Sequence, residues 1–301
     1  MKVLVSDKLA PEGIRLLEET PGVEVTFQTK WEPGEFREKI KGYHALIIRS
    51  ATKVDESVIE AADELKVVGR AGIGVDNIDQ KAASKKGIVV MNTPTANTVT
   101  TAEHALAMMM ALSRKIPQAT ASMKSGKWEK SKFSGVELFE KVLGVVGLGN
   151  IGSILAGRAI GLGMTVIAYD PFLSAERAAQ LGVELVDLDD LFKRADFISS
   201  HVPLTDKTKN LFRAETFAKM KPGVRIVNCA RGGVVHEADL VEAVKAGQVA
   251  GAALDVFEKE PLSPHSPLLA VAESILTPHL RASTAEAHVK VAVDDPRQVV
   301  A

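Results

Sequence analysis

VLGVVGLGNIG (Val142–Gly152) is a five-residue aliphatic run that passes directly into three glycines spaced G-x-G-x-x-G. The run has strand length, and ILAGRAIGLG behind it reads as a helix. The loop therefore opens a helix whose free amides and positive dipole end suit a pyrophosphate. Such a motif is weak alone, so its surroundings must decide. The next strand, TVIAYD, ends at Asp170, 23 residues beyond Gly147, close to the offset at which an acid takes the adenosine ribose hydroxyls and repels a 2′-phosphate. Gly147, Gly149, Asn150, Ile151 and Gly152 with Asp170 are thus candidate contacts for NAD rather than NADP. The bland alternatives are glycines that only permit tight strand-to-helix packing, and an Asp170 that only turns the chain before Pro171.

A dinucleotide-binding unit usually begins with this loop, yet 144 residues precede Val145. Those residues alternate strand-length apolar runs (Lys2–Ser6, Val23–Thr26, Ala45–Arg49, Lys66–Gly69, Ile88–Met91) with helical patterns (Pro11–Glu19, Pro33–Ile40, Asp55–Ala61, Ile78–Lys86). Stacked βα units of this kind make a small doubly wound parallel sheet, an α/β domain in its own right. The turn formers MNTPTAN (Met91–Asn97) break the alternation, and TTAEHALAMMMALSRK then starts a long helix with Thr100 or Thr101 as cap. The first domain crossing is expected there. Met108, Met109 and Met110 read as a buried helix or dimer face, and the irregular SGKWEKSKFSGVEL (Ser125–Leu138) as an arm that packs on a second copy. A second alternation, with strands near 142–146, 165–169, 197–200, 224–228, 251–254 and 274–276, suits a six-strand dinucleotide-binding sheet.

Composition sets the outer bounds. A chain of 301 residues with 46% hydrophobic and 25% charged residues is ordinary for two globular domains. Lys plus Arg (37) nearly balances Asp plus Glu (38), so no net field favours nucleic acid or an anionic membrane, and neither is an expected partner. No window approaches a membrane span and the N-terminal apolar run is too short for a signal peptide, so a cytoplasmic location is expected. The single cysteine, Cys229, excludes a disulfide framework and a cysteine-built zinc site. It reads as a small buried residue at a strand end, and no metal is expected.

Three further stretches, NCARGG (Asn228–Gly233), LDVFEKEPL (Leu254–Leu262) and TPHL (Thr277–Leu280), together with the mid-chain glycine loop, resemble the D-2-hydroxyacid dehydrogenase family over nearly the whole chain. RAGIGVDNID (Arg70–Asp79) and RSAT (Arg49–Thr52) narrow the likeness to members whose substrate carries a phosphate. The resemblance implies a Rossmann-type NAD-binding domain (96–283) inserted into a flavodoxin-like substrate domain (1–95 plus 284–301), both doubly wound parallel sheets, with the active site in the cleft between them. That architecture would account for the residues ahead of the loop.

Oxidising a 2-hydroxy acid needs a base for the hydroxyl proton and a cation for the carboxylate. By resemblance, His279 is the acid/base, Glu260 its carboxylate partner, and Arg231 the bidentate anchor of the substrate carboxylate. Each taken singly reads as well as a surface charge or a satisfied histidine; jointly they fall after predicted strands of one sheet. The resemblance also implies that His201, Pro203, Leu204 and Thr205 line the adenine side, and that Cys229, Ala230 and Asp255 lie toward the nicotinamide. The turn Gly72, Ile73, Gly74 would take the substrate carboxylate through backbone amides, Asn97 would touch substrate, and Arg49 and Arg70 would supply cations for the phosphate. The expected partner is thus a small phosphorylated 2-hydroxy acid, in a homodimer or a tetramer. Glyoxylate or hydroxypyruvate reduction is the enzymatic alternative, and an NAD-responsive corepressor-like scaffold the alternative of another class.

Two departures stand out. Relatives usually carry glycine where this chain has Arg281, which either disturbs a hinge or adds a cation for the phosphate. Pro296 lies inside the expected closing helix, at a cost of about 3 kcal/mol if truly interior. The chain also ends sooner than relatives do, without their C-terminal amino-acid-binding domain, so serine feedback through such a module is not expected.

Overall fold

The computed structural model describes residues 1–32 and 34–300; Pro33, the expected start of one helix, lies outside the described residues. The chain divides into two compact units, Met1–Thr98 with Ala282–Ala301, and Val99–Arg281.

In the first unit, five strands, β1 (Lys2–Val5), β2 (Glu24–Phe27), β3 (Ala45–Ile48), β4 (Val67–Arg70) and β5 (Val89–Asn92), pair in parallel in the order β2-β1-β3-β4-β5. The inner strands are continuous apolar runs because both faces are covered. Val3, Val5, Ala45 and Ile47 face one way, against Leu17, Val291 and Ala292. Leu4, Leu46, Ile48 and Val68 face the other, against Val58, Ile59 and Ala83. Asp55 and Asp79 start their helices by accepting from the amides of Val58 and Ala82, the usual means of satisfying an otherwise free first-turn donor.

The closing helix, Ala285–Val300, runs through Pro296. Proline cannot donate to the carbonyl four residues back, here that of Ala292. This carbonyl lies against Gly13, where an added β-carbon would come within 1.9 Å of it. The same helix sits on β4 at Gly69, where a β-carbon would meet Val299 and Asp295 at 2.5 and 2.6 Å. Gly13 is therefore fixed by close approach of the helix backbone, and Gly69 by the side chains that the helix lays on β4.

The second unit holds seven parallel strands, β6 (Val142–Val146), β7 (Thr165–Tyr169), β8 (Glu184–Leu185), β9 (Phe197–Ser200), β10 (Val224–Asn228), β11 (Val249–Leu254) and β12 (Ser274–Leu276), in the order β12-β11-β10-β9-β6-β7-β8. The expected six-strand count misses β8, a two-residue edge strand too short to leave a pattern. One face packs Leu143, Val145, Val166 and Phe197 on Met108, Met109 and Leu112; the other packs Ile167, Ile198 and Ile226 on Phe192, Phe212 and Phe217. The order in which strands are added reverses between β6 and β9, the switch point at which ligands bind in such sheets.

The expected helix cap at Thr100 or Thr101 is not where the helix begins. The turn at Thr93–Asn97 leads straight into a helix over Thr98–Ser113, so both threonines are interior. Lys115 in the left-handed region ends that run, and a separate helix follows at Ile116–Lys124. Met108 and Met109 are buried, whereas Met110 is exposed. The arm is irregular apart from one 3-10 turn, Lys130–Phe133, and leaves Trp128 81% exposed. Among the described residues, no helix is long and apolar enough to cross a membrane.

Candidate functional site

The glycine loop leaves β6 and enters the helix Asn150–Gly161. Gly147 has φ of +93°, and a β-carbon there would press on the backbone of His201; at Gly152 one would lie 2.1 Å from the carbonyl oxygen of Gly147. Gly149 has open space where a side chain would go. Two glycines are thus required by the fold, while the third keeps the ground above the helix N-terminus clear. Asp170, just past β7, accepts from the amides of Leu148 (2.9 Å) and Phe172 (2.9 Å), which ties the loop to the strand that ends at the acid. A cleared helix N-terminus with a carboxylate one strand away fits an adenosine diphosphate moiety.

Across the switch point, the loop after β9 carries His201, whose amide binds the carbonyl of Val146 and whose Nε2 contacts Ser199 Oγ at 2.9 Å. Its ring is only half-buried by area but densely surrounded. Desolvation, with the charge of Arg281 adding to it, pushes the imidazole down to about 4, so it is neutral at pH 7. Pro203, Leu204 and Thr205 follow on an exposed turn held by Thr208, whose hydroxyl donates to Pro203 O (2.6 Å) and accepts from Thr205 N (2.8 Å).

The loop after β10 is stapled by Asn228. Its side chain donates to Arg231 O (2.9 Å) and accepts from Ala230 N (3.0 Å), which fixes the turn that presents Arg231. Cys229 is fully buried and free, and burial pushes its thiol above the ordinary range. It is a packing residue, not a nucleophile.

The loop after β12 is held by Asp255, which directly follows β11 and is fully buried. One carboxylate oxygen accepts from Thr277 Oγ1 (2.6 Å) and Leu280 N (2.7 Å) and meets His104 Nε2 (3.2 Å); the other accepts from Arg281 N (2.9 Å). Burial raises the Asp255 carboxyl, but these donors outweigh it and hold the group below its ordinary value. The acid therefore stays ionised and clamps the turn in which His279 adopts φ of +55°. A non-glycine residue in that region costs energy unless its surroundings over-determine it. Here the clamp and the His279 N–H to Thr277 O bond (2.9 Å) do so.

His279 Nδ1 lies 2.6 Å from Glu260 Oε2, and the other oxygen of Glu260 accepts from Phe257 N at 3.1 Å. Burial raises Glu260, but the His279 bond, then the Phe257 amide and the nearby positive charges, bring it below the usual carboxylate value. An ionised carboxylate can only accept, so Nδ1 is the donor, and in the neutral ring the lone pair is on Nε2. The pair remains partly exposed, open to a ligand.

In the first unit, Arg49, Arg70, Gly72, Ile73, Gly74 and Asn97 all follow or end strands of one sheet. Asp7 accepts from Arg49 N (2.6 Å) and from Thr52 N and Oγ1, and burial lowers the Arg49 guanidinium against the pull of Asp7. Arg70 folds over Gly72, where a β-carbon would land 1.4 Å from Nη1. Asn92 donates to Ile73 O at 2.6 Å and Thr93 N binds Gly72 O, which pins the turn. Asn97 is buried. Asp7, Asn92, Asn228, His104 and Thr277 are supporting residues to which the sequence assigned no role; Asn228 acts within its own turn, and the bonds of the other four join segments too far apart in sequence to leave a local signature.

A domain model described as D-isomer specific 2-hydroxyacid dehydrogenase, NAD binding domain, matches residues 106–280. The chain belongs to the D-isomer specific 2-hydroxyacid dehydrogenase family, and this segment is its NAD-binding domain. It is 54% identical over 298 residues to the D-3-phosphoglycerate dehydrogenase of Synechocystis, a match covering 99% of this chain and 53% of that protein. The chain thus spans about half the length of the phosphoglycerate dehydrogenases it matches. Among solved structures, a Thermus thermophilus protein superposes with TM-score 0.92 at 33% identity, covering 100% of this chain and 96% of that one. The D-lactate dehydrogenase of Aquifex aeolicus, solved with NAD and lactic acid, gives 0.87 at 27% identity, covering 100% and 94%.

Proposed function

We propose that the protein interconverts D-3-phosphoglycerate and 3-phosphohydroxypyruvate with NAD, the first oxidation on a route to serine. The observation that carries the chemistry is the 2.6 Å contact between His279 Nδ1 and an ionised Glu260, which leaves Nε2 as a base.

NAD, when bound, supplies the hydride acceptor for oxidation and, reduced, the donor for the reverse. In oxidation, His279 Nε2 removes the C2 hydroxyl proton as the C2 hydrogen leaves with its electron pair, and the C–O bond becomes a carbonyl. In reduction the same nitrogen returns the proton. Glu260 holds the ring in one tautomer and stabilises the imidazolium that forms. Arg231 anchors the carboxylate and polarises the oxygen at C2. Gly147, Gly149, Asn150, Ile151 and Gly152 receive the pyrophosphate, and Asp170 the adenosine ribose. His201, Pro203 and Thr205 line the adenine side, with Cys229, Ala230 and Asp255 toward the nicotinamide.

The phosphate distinguishes this substrate from glyoxylate and hydroxypyruvate. We assign it to Arg49 and Arg70, with Gly72, Ile73, Gly74 and Asn97 contacting the remainder. Residues 1–95 with 284–301 then form the substrate domain and 96–283 the NAD-binding domain. The exposed Trp128 arm supports a homodimer. The test compares NADH oxidation by 3-phosphohydroxypyruvate, hydroxypyruvate and glyoxylate in wild type and Arg49→Gln. The expected result is a preference for the phosphorylated acid and a KM raised at least about tenfold by the loss of one charged contact. Equal use of all three acids would refute the phosphate assignment.

A further inference from the structure

Arg281 is a cation that the reaction as derived does not use. Its backbone amide is held by Asp255, and its guanidinium donates to Cys229 O at 2.9 Å and to Ala230 O. The head group is thereby fixed on the two carbonyls that follow β10. Its charge reaches groups beyond three successive strands: His201 after β9, Cys229 after β10 and Glu260 after β11.

In a sheet ordered β12-β11-β10-β9-β6-β7-β8, a dinucleotide lies across the switch point between β6 and β9. Asp170, past β7, marks the adenosine half, so the redox ring belongs to the half over β10 and β11, where Cys229, Ala230 and Asp255 lie. Arg281 stands in that half. The ring is a cation when oxidised and neutral when reduced, so a fixed guanidinium repels one form and not the other.

We propose that Arg281 determines the redox-state specificity of cofactor binding, weakening NAD+ more than NADH. This rests on the dinucleotide reading of the glycine loop. Two unit charges about 10 Å apart at an effective dielectric near 20 give a preference of roughly tenfold. The residue would make this site load the reduced cofactor at lower concentration than a glycine at the same place.

Isothermal titration of wild type, Arg281→Gly, Arg281→Gln and Arg281→Lys with NAD+, NADH and ADP-ribose tests this. ADP-ribose lacks the ring and should bind all four proteins alike, which also reports an intact loop in each. The ratio of the NAD+ to the NADH dissociation constant should fall about tenfold in the Gly and Gln variants and stay near wild type in the Lys variant. An unchanged ratio in Arg281→Gly and Arg281→Gln, with ADP-ribose bound normally, would overturn the proposal while leaving the dinucleotide reading intact. Failure of wild type to bind ADP-ribose would overturn both.

Discussion

Asp295 is fully buried on the closing helix, and neither of its carboxylate oxygens has a hydrogen-bond partner among the described residues. Burial, only partly offset by Arg70, raises its pKa from 3.8 to about 8. The folded-state value lies above the unfolded one. The stability this group allows is therefore full below about pH 4 and is lost as pH rises through about 8, beyond which it stays flat. At 1.36 kcal/mol per pKa unit, holding the acid protonated costs of order 1.5 kcal/mol at pH 5 and 5 kcal/mol at pH 8. Asp295→Val puts methyl groups of similar bulk against Gly69 and removes the titration. Thermal unfolding followed by circular dichroism at pH 5 and pH 8 should show the variant more stable at both. Its advantage should grow by about 3.5 kcal/mol between them, which is of order 10 °C in Tm for a unit of this size. Taking the difference between proteins cancels the opposing slope from His201 and His288, both lowered by burial. Parallel pH dependences in the two proteins would refute the reasoning, because they would mean that Asp295 does not titrate on unfolding.

Three other consequences can be measured. Gly152→Ala drives a methyl toward the Gly147 carbonyl, so a fluorescence titration should show NADH binding weakened by at least about tenfold through displacement of the loop. Gly13→Ala meets the Ala292 carbonyl and should lower stability by about 1–3 kcal/mol in urea unfolding, with NADH binding by the second unit unchanged. Asp255→Asn replaces an acceptor-only oxygen with a donor opposite the amide of Leu280 or Arg281. It should lower turnover while the far-ultraviolet circular dichroism spectrum is retained; wild-type turnover would show that the clamp does not position His279.

Much of the fold was legible because parallel strands covered on both faces appear as unbroken aliphatic runs, as in Ala45–Ile48 and Val142–Val146. Helix starts were legible where an aspartate caps, as at Asp55 and Asp79. The start at Thr98 was not, because Thr100 and Thr101 are both good cap residues and only the preceding turn, Thr93–Asn97, starts the helix ahead of them. β8 escaped notice because two residues carry no period. In the site, spacing pointed to the glycine loop and Asp170, whereas His279 and Glu260 were implied only by the resemblance of their motifs to the family. The Asp255 clamp was not legible: it gathers Thr277, Leu280, Arg281 and His104, and only the completed sheet brings these together. Nor was the placement of Arg281, since a sequence does not say onto which carbonyls a guanidinium folds.

The central claim is that His279 moves the proton and Arg231 holds the carboxylate on the NAD-binding unit. It is tested most directly by mixing NADH and 3-phosphohydroxypyruvate with wild type, His279→Asn and Arg231→Gln, and following NADH absorbance while NADH binding is measured separately. The account predicts turnover by wild type, and NADH binding retained in both variants with turnover reduced about 10²- to 10⁴-fold in His279→Asn. Wild-type rates in His279→Asn would contradict it.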